Sequence, residues 1–282
     1  MNICIAGLGL IGGSFAKAIS QKTNHFCMGI DTNANSCKKA LDDGAIKQII
    51  SPEQLSLADI VILALQPKTL VQFFKTNAQH IKKGAIVFDT CGIKQTVLNQ
   101  LVPVANEHGI KFVGAHPMAG REFSGYDYSL ANLFEKASFI VTTDHADKTA
   151  VDVVCDLAKQ IGFANVTVTT ADHHDKVIAY TSQLAHIVSN SYCKSETINQ
   201  KEGFCAGSFA DMTRVGKLDV NLWTELFLAN PTHLGNELGN LITKLSEFKT
   251  AIDNKDEKFL SQLLKEGNDI KVKSLEKENK KA

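Results

Sequence analysis

The chain has 282 residues, of which 44% are hydrophobic and 21% are charged. This is the composition of an ordinary folded protein of roughly two domains, and it excludes a chain that is disordered as a whole. The 30 Lys and Arg residues balance the 30 Asp and Glu residues, so no excess positive charge points to nucleic acid as a partner. The longest apolar run, Ile60 to Leu65, is far shorter than the roughly 18 residues of a membrane-spanning helix, so we expect no membrane partner.

The seven cysteines are scattered along the chain without a C-x-x-C pair. This distribution is typical of thiols in a reducing compartment and not of a disulfide framework or a zinc site. The apolar N-terminus differs from an export signal, because its first basic residue is Lys17 and glycines interrupt the apolar run. We therefore predict a cytoplasmic protein.

Short β-branched runs alternate with segments of helical periodicity through the first 168 residues. Several of these runs, such as 60–65, are apolar throughout, which is typical of parallel strands buried on both faces. The alternation predicts an α/β fold with a Rossmann-type, doubly wound parallel sheet. The predicted strands are 2–6, 25–30, 60–65, 85–88, 111–115, 138–141 and 166–169, and the predicted helices lie near 11–21, 35–44, 69–80, 96–107 and 148–160.

After Thr170 the alternation stops, and apolar residues recur at three- and four-residue steps. This periodicity predicts helices over 172–195, 223–228, 234–248 and 256–275. We therefore predict a Rossmann domain at 1–168 and an all-helical domain at 169–282. A single layer of amphipathic helices must bury its second face, so we expect the helical domain to form a homodimer.

The segment 7–12 reads GLGLIG and satisfies the G-x-G-x-x-G pattern of dinucleotide-binding turns. It follows a predicted strand and begins a helix, and Asp31 ends the second predicted strand, where a carboxylate can bind ribose hydroxyls. The alternative is a glycine turn without a ligand. Asp31 would repel a 2′-phosphate and no Arg occupies 32–36, so the sequence favours NAD over NADP. The predicted NAD contacts are Gly7, Gly9, Leu10, Ile11, Gly12, Asp31, Leu65, Gln66 and Thr90.

His116 begins the segment HPMAG just after the predicted strand 111–115. The carboxyl ends of parallel strands line the ligand crevice of an open sheet, so we expect His116 to meet the substrate there. A histidine titrates near neutral pH and can accept the proton of a substrate hydroxyl while a hydride leaves the same carbon. A loop histidine with a purely structural hydrogen bond is the alternative at this point.

Arg214 lies in the helical half and offers a planar guanidinium that suits a carboxylate. The alternative is an ion pair with Asp211, which shares its helix face. The consecutive run Asp172 to Asp175 cannot converge on one ion, so we predict that the protein holds no metal.

These segments together resemble the prephenate dehydrogenase family, which also contains arogenate dehydrogenases. The order of HPMAG before DMTR is more specific than the glycine motif. The resemblance runs through nearly the whole chain and rests on GLGLIGGS at 7–14, Asp31, DTCGIK at 89–94, HPMAGRE at 116–122, His174 and Asp175, TSQLAH at 181–186, DMTR at 211–214, and Trp223.

The resemblance implies a Rossmann domain joined to a helical dimerisation domain. It also implies an oxidative decarboxylation in tyrosine biosynthesis, in which prephenate and NAD give 4-hydroxyphenylpyruvate, carbon dioxide and NADH. His116 would accept the proton of the ring hydroxyl, and Arg214 would bind a substrate carboxylate. The implied substrate pocket also contains Gly92, Gln183, His186 and Trp223, and the implied gating network around Arg214 contains Glu122 and Asp211.

The chain departs from the family pattern at two positions. Many relatives have Ser at the position of Gly92, where a hydroxyl would orient the catalytic histidine, and Thr90 is a candidate substitute. Many also have His at the position of Gln183. These changes bear on the choice between prephenate and arogenate more than on the reaction type.

Two other classes of protein remain as alternatives. Another two-domain NAD dehydrogenase, such as a β-hydroxyacid dehydrogenase or an imine reductase, would share the architecture, but the G-x-x-x-K-x-x-N helix of the hydroxyacid enzymes is absent from the sequence. An NAD-sensing protein without catalysis is the non-enzyme alternative. Turnover with prephenate distinguishes both from the main hypothesis.

Overall fold

The structure is a computed structural model that describes residues 1–121 and 123–279. Its strands are β1 (Asn2–Ala6), β2 (Phe26–Ile30), β3 (Gln48–Ile49), β4 (Ile60–Leu63), β5 (Ile86–Asp89), β6 (Lys111–Pro117), β7 (Ser138–Thr142) and β8 (Asn165–Thr169). Its α-helices are α1 (Leu10–Lys22), α2 (Ala34–Asp42), α3 (Pro67–Asn77), α4 (Gln95–Glu107), α5 (Lys148–Ile161), α6 (Ala171–Ile178), α7 (Ala185–Tyr192), α8 (Gly207–Thr213), α9 (Val220–Leu228), α10 (Pro231–Asp253) and α11 (Glu257–Asn279).

The strands of the described chain form one sheet in the order β3-β2-β1-β4-β5-β6-β7-β8. The first six strands are parallel, and the order reverses direction at β1, as in a doubly wound fold. The predicted α/β class is confirmed. The predicted doubly wound sheet is mostly parallel, and it departs from parallel pairing at one place, where β7 pairs antiparallel with β6.

The connection between β6 and β7 explains that reversal. Parallel neighbours need a crossover, usually a helix, whereas antiparallel neighbours do not. Residues 118–137 contain only a short 3-10 turn at Tyr126–Tyr128 among their described positions. The alternation of short apolar runs does not distinguish the two directions.

Apolar side chains cover both faces of the sheet. One buried cluster includes a group of aromatic rings around Phe15, whose ring centroid lies 4.7 Å from that of Phe134. The other includes Phe74 and Phe112, whose centroids are 5.3 Å apart. Burial on both faces accounts for the apolar strand sequences and leaves the carboxyl edge of the sheet for polar residues.

The helices after β8 differ in detail from the prediction. The single helix predicted over 172–195 is divided into α6 and α7 by a π-helical segment at Ala179–Leu184. Such segments carry an extra residue per turn and often accompany functional side chains. The chain divides into two compact units, Met1–Pro231 and a second unit that begins at Thr232. No helix in the described ranges is long and apolar enough to cross a membrane.

Candidate active site

The glycine motif forms the turn between β1 and α1. Gly7 has a φ of 93°, which favours glycine, and its N–H donates to the Ile30 carbonyl at 2.8 Å. A Cβ on Gly12 would lie 1.8 Å from the Gly7 carbonyl oxygen, so only glycine lets α1 approach the turn. A Cβ on Gly9 would meet no atom within 4 Å. The open space over Gly9, next to the N-terminus of α1, fits a pyrophosphate.

Asp31 is held at the end of β2 by the same turn. Its Oδ2 accepts the Leu8 N–H at 2.6 Å, and its Oδ1 accepts the Asn33 N–H at 2.7 Å. Each oxygen keeps a lone pair for a further donor, such as a ribose hydroxyl. The carboxylate therefore suits the ribose of NAD and opposes a 2′-phosphate.

The other predicted cofactor residues lie along the same edge of the sheet. Leu65 and Gln66 follow β4, Thr90 follows β5, and both strands lie on the β6 side of β1. Leu65 packs close to the turn, because its Cδ2 would lie 2.8 Å from a Cβ on Gly7. Leu10 and Ile11 form the first turn of α1. The fold thus gathers these residues where the resemblance requires NAD to bind.

His116 lies inside β6, not after it, and pairs with Ile140 of β7. The sequence predicts a strand that ends at 115 and a loop at His116, but pairing with the antiparallel β7 extends β6 to Pro117. The side chain is partly buried, and its Nδ1 lies 2.9 Å from Nε2 of His174. Nδ1 of His174 lies 2.7 Å from Oδ1 of Asp175. A hydrogen-bonded chain of three side chains thus runs from His116 into the protein.

Asp175 is anchored at the start of α4. Its Oδ1 accepts the Lys94 N–H and its Oδ2 accepts the Gln95 N–H, both at 2.8 Å. These amides lie at a helix N-terminus, where a negative charge is favoured. The Asn230 amide donates to the Asp175 carbonyl at 2.8 Å. Asp175 therefore joins α6, α4 and the segment that follows α9.

A buried ion pair lies next to the hydrogen-bonded series of His116, His174 and Asp175. The Lys94 ammonium donates to the Asp89 carboxylate and, at 2.6 Å, to the Ala115 carbonyl, and both charged side chains are fully buried. Asp89 also accepts the N–H groups of Ala115 at 3.2 Å and Cys91 at 2.9 Å. The pair fixes the end of β5 against the residue that precedes His116.

The surroundings keep both histidines uncharged. Burial, then the neighbouring His174 and Lys94, lower the pKa of His116 well below 6.5. Burial also lowers the pKa of His174, against the opposing effect of the Asp175 carboxylate. His116 is therefore a neutral acceptor at neutral pH, as a general base must be.

Gly92 faces the ring of His116, since a Cβ there would lie 3.6 Å from Nε2 and 3.7 Å from Leu226 Cδ2. The Thr90 hydroxyl contacts the Leu63 carbonyl at 3.4 Å, while the imidazole Nδ1 of His116 binds His174. The orienting partner of His116 in this structure is therefore His174, and not Thr90 as the sequence suggested.

A second group of predicted site residues surrounds His186. Its ring stacks on Trp223 with centroids 3.8 Å apart, and its Nδ1 donates to the Ser182 carbonyl at 2.8 Å. Burial lowers the pKa of His186, and the positive charge of Arg214 lowers it further. Arg214, at the end of α8, is exposed. The structure therefore places an open guanidinium within electrostatic reach of His186.

Gln183 is buried, and its amide has protein partners at both ends. Nε2 donates to the Leu226 carbonyl at 2.9 Å, and Oε1 accepts from Asn230 at 2.8 Å. These bonds tie the π-helical segment to α9, which carries Trp223. Contact between Gln183 and substrate stays a prediction.

The predicted gating network is described only in part. Asp211 is exposed in α8, and no ion pair joins it to Arg214 in the part of the chain that the structure describes. Glu122 lies outside the described residues. Within those residues no group of three or more His, Cys, Asp or Glu side chains could hold a metal ion.

Sequence reasoning missed the roles of Lys94, Asp89, His174 and Asp175. The run from Asp172 to Asp175 lies at the start of helix α6, as the sequence predicts, and the cap of that helix is Thr170, which accepts the His173 N–H. The sequence carries one signal for the buried ion pair, an Asp and a Lys close to an otherwise apolar strand. Charged residues are rarely buried unless they are paired.

Family models match most of the chain. The nucleotide-binding domain of prephenate dehydrogenase matches residues 15–168, and the prephenate dehydrogenase dimerization domain matches residues 170–266. The chain belongs to the prephenate dehydrogenase family. It is thereby an NAD-dependent oxidoreductase of a family that carries out oxidative decarboxylation in tyrosine biosynthesis.

Individual relatives resemble the chain over nearly its full length. It is 30% identical to the cyclohexadienyl dehydrogenase of Zymomonas mobilis over 279 residues, which cover 94% of this chain and 93% of the relative. It is 29% identical to the prephenate dehydrogenase of Bacillus subtilis over 284 residues, covering 96% and 75%. The crystal structure of Aquifex aeolicus prephenate dehydrogenase with hydroxyphenyl propionate and NAD+ aligns with a TM-score of 0.83 and 28% identity, covering 98% of each chain.

Proposed function

We propose that this family member oxidises and decarboxylates prephenate, with His116 as the base. The observation that carries the proposal is the position of a neutral His116 at the carboxyl edge of the sheet, the edge that also carries the glycine turn, with its ring facing the space over Gly92. NAD, when bound, accepts a hydride from the substrate. His116 would accept the proton of the hydroxyl on the same ring carbon through Nε2.

For the rest of the reaction, the protein mainly has to hold the substrate in position. Loss of hydride and proton turns the ring alcohol into a carbonyl that draws electrons. The bond to the ring carboxylate then breaks, its electron pair moves through the ring onto the carbonyl oxygen, and carbon dioxide leaves as the ring becomes aromatic. The resulting phenolate oxygen takes back the proton that His116 accepted. Arg214 would bind a substrate carboxylate with its planar guanidinium, and the His186–Trp223 pair would line the same pocket.

Arogenate is the second candidate substrate, and His186 supplies the observation that favours it. Because Nδ1 donates to Ser182, the neutral ring offers only a lone pair at Nε2. A lone pair suits the ammonium of arogenate better than the keto oxygen of prephenate. Initial rates of NADH formation with each substrate, and with NAD or NADP, distinguish the candidates.

The role of His116 is tested with His116→Asn. We expect kcat to fall by about 10²–10⁴-fold, because proton transfer to a positioned base is lost, while the Kd for NAD stays unchanged. Turnover close to that of the wild type would contradict the role.

The role of Arg214 is tested with Arg214→Gln, which should raise KM for the substrate. An unchanged KM would remove Arg214 from the carboxylate site.

The domain boundaries, the assembly and the location belong to the same proposal. We place the NAD-binding domain at 1–168 and the substrate and dimerisation domain at 169–282. The two family models meet at the same place and support this boundary.

We propose a homodimer, supported by the family's dimerization domain and by exposed Ile242, Leu245 and Ile252 of α10. A cytoplasmic location is supported by seven free cysteines.

A further inference from the structure

The hydrogen-bonded chain from His116 to Asp175 determines where each imidazole carries its hydrogen. Both oxygens of Asp175 already accept backbone N–H groups, so the carboxylate acts only as an acceptor. The contact of 2.7 Å with His174 therefore requires the hydrogen of that ring to lie on Nδ1. A neutral His174 then presents a lone pair at Nε2.

The next hydrogen bond of this series joins His174 to His116. Nε2 of His174 can only accept, so the contact of 2.9 Å requires His116 to carry its hydrogen on Nδ1. Nε2 of His116 is left with the lone pair, and Gly92 places no side chain between that atom and the site. A free imidazole in water prefers the opposite form, with the hydrogen on Nε2. The protein thus selects the less common tautomer.

We propose that His174 and Asp175 are positioning residues that hold His116 in the tautomer whose Nε2 can act as a base. This inference rests on the proposed function, in which His116 accepts the substrate proton. His174 is almost fully buried at 2% exposure and Asp175 at 1%, so neither contacts the substrate and both act through His116.

Burial and backbone anchoring make the pair rigid. Asp175 is bonded to the first amides of α4, and Asn230 donates to its carbonyl. The ring of His116 is thereby fixed from one side only, and its other nitrogen stays free for the reaction. When His116 is protonated, its positive charge stays on its own ring, and the buried Asp175 carboxylate orients His174 as the acceptor for His116 Nδ1–H, as the carboxylate does in other acid–base triads.

Two substitutions at His174 separate positioning from a purely structural role. In His174→Asn the amide can still donate to Asp175, but it is too short to accept from His116. In His174→Gln the longer amide can accept from His116 Nδ1, but it loses the bond to Asp175. If His174 sets the tautomer, His174→Asn lowers kcat on the order of 10²-fold and His174→Gln recovers most of the loss, with KM for NAD unchanged in both.

The opposite order would overturn the proposal. A residue that only supports Asp175 and α4 would tolerate His174→Asn and be damaged by His174→Gln. Equal activity of the two variants would overturn it as well, since only His174→Gln keeps the contact with His116.

Nitrogen-15 NMR of the histidine rings measures the tautomer in the wild-type protein and does not depend on how the two His174 variants fold. The signals of His116 are those missing from the His116→Asn spectrum. We expect a protonated Nδ1 and an unprotonated Nε2 at pH 8, and a hydrogen on Nε2 would overturn the inference. The outcome also separates the two proposals, because full turnover of His116→Asn refutes the base while leaving the tautomer measurement intact.

Discussion

At the scale of single residues, the protonation of His116 is the property on which the proposed chemistry depends. Three influences act in the same direction: burial, the adjacent His174 and the ammonium of Lys94 all disfavour a positive charge on the ring. A base must be unprotonated to work, so a lowered pKa extends activity to lower pH. The cost is a weaker base.

This arrangement predicts the pH dependence of the reaction. We expect the acidic limb of kcat/KM for the wild type to lie below pH 6.5, with a constant rate from there through neutral pH. The charged or titratable groups that shift the pKa of His116 are His174 and Lys94. The measurement is kcat/KM against pH at constant ionic strength, and a midpoint above pH 6.5 would contradict the expectation. In His116→Asn the limb should disappear.

At the scale of elements, the turn between β1 and α1 separates two uses of glycine. Gly12 allows close packing within the protein, whereas Gly9 leaves space that the protein does not fill. The glycine pattern alone cannot assign these roles, because both depend on which atoms surround each Cα in three dimensions.

The surroundings of Gly9 and Gly12 predict different outcomes when each glycine is replaced by alanine. Gly12→Ala should destabilise the fold by about 1–3 kcal/mol or more, since its Cβ would overlap the Gly7 carbonyl. Gly9→Ala should leave stability unchanged but raise the Kd for NAD about tenfold, or about 1.4 kcal/mol, because its methyl group enters the ligand space. Urea unfolding and NAD titration of both variants test this. A destabilised Gly9→Ala variant with normal NAD binding would contradict the assignment.

The junction of β5 and α4 depends on the buried pair of Lys94 and Asp89. We expect Lys94→Met to lower the free energy of unfolding by about 3–5 kcal/mol, because it leaves the Asp89 carboxylate buried without its counter-charge. Lys38→Met is the matched control, since Lys38 pairs with Asp42 on the surface and its loss should change little. Equal effects of the two substitutions in urea unfolding would show that the buried pair does not stabilise the junction.

At the scale of the whole molecule, the apolar residues of α10 indicate association. Ile242, Leu245 and Ile252 are each more than half exposed, at 55%, 58% and 59%. Exposed apolar residues repeated at helical spacing typically mark an interface. The match to a dimerization domain over 170–266 agrees with that interpretation.

Light scattering tests the assembly directly. We expect the wild type to have twice the chain mass of 30.7 kDa, and Leu245→Glu to weaken the dimer because it would bury an unpaired charge. Asn240→Glu places the same charge on an exposed polar position of α10 and should leave the dimer intact. A monomeric wild type, or equal effects of both variants, would contradict an interface on this face.

The sequence by itself determined the α/β class, the position of the dinucleotide turn and the family. These features are local, because a glycine motif, an apolar run or a short family motif is complete within a few neighbouring residues. The strands predicted at 2–6 and 111–115 correspond to β1 and β6, and the predicted NAD residues all lie along the edge where those strands end.

Only the tertiary structure decided the direction of β7, the division of the helix at 172–195, and the partners of His116. Strand direction depends on how the chain crosses between neighbours, which apolar alternation does not encode. His174 and Asp175 are far from His116 in sequence, and their contact arises because α6 packs against the start of α4. The sequence names the histidine, but its tautomer is set by hydrogen bonds that exist only when distant segments are folded together.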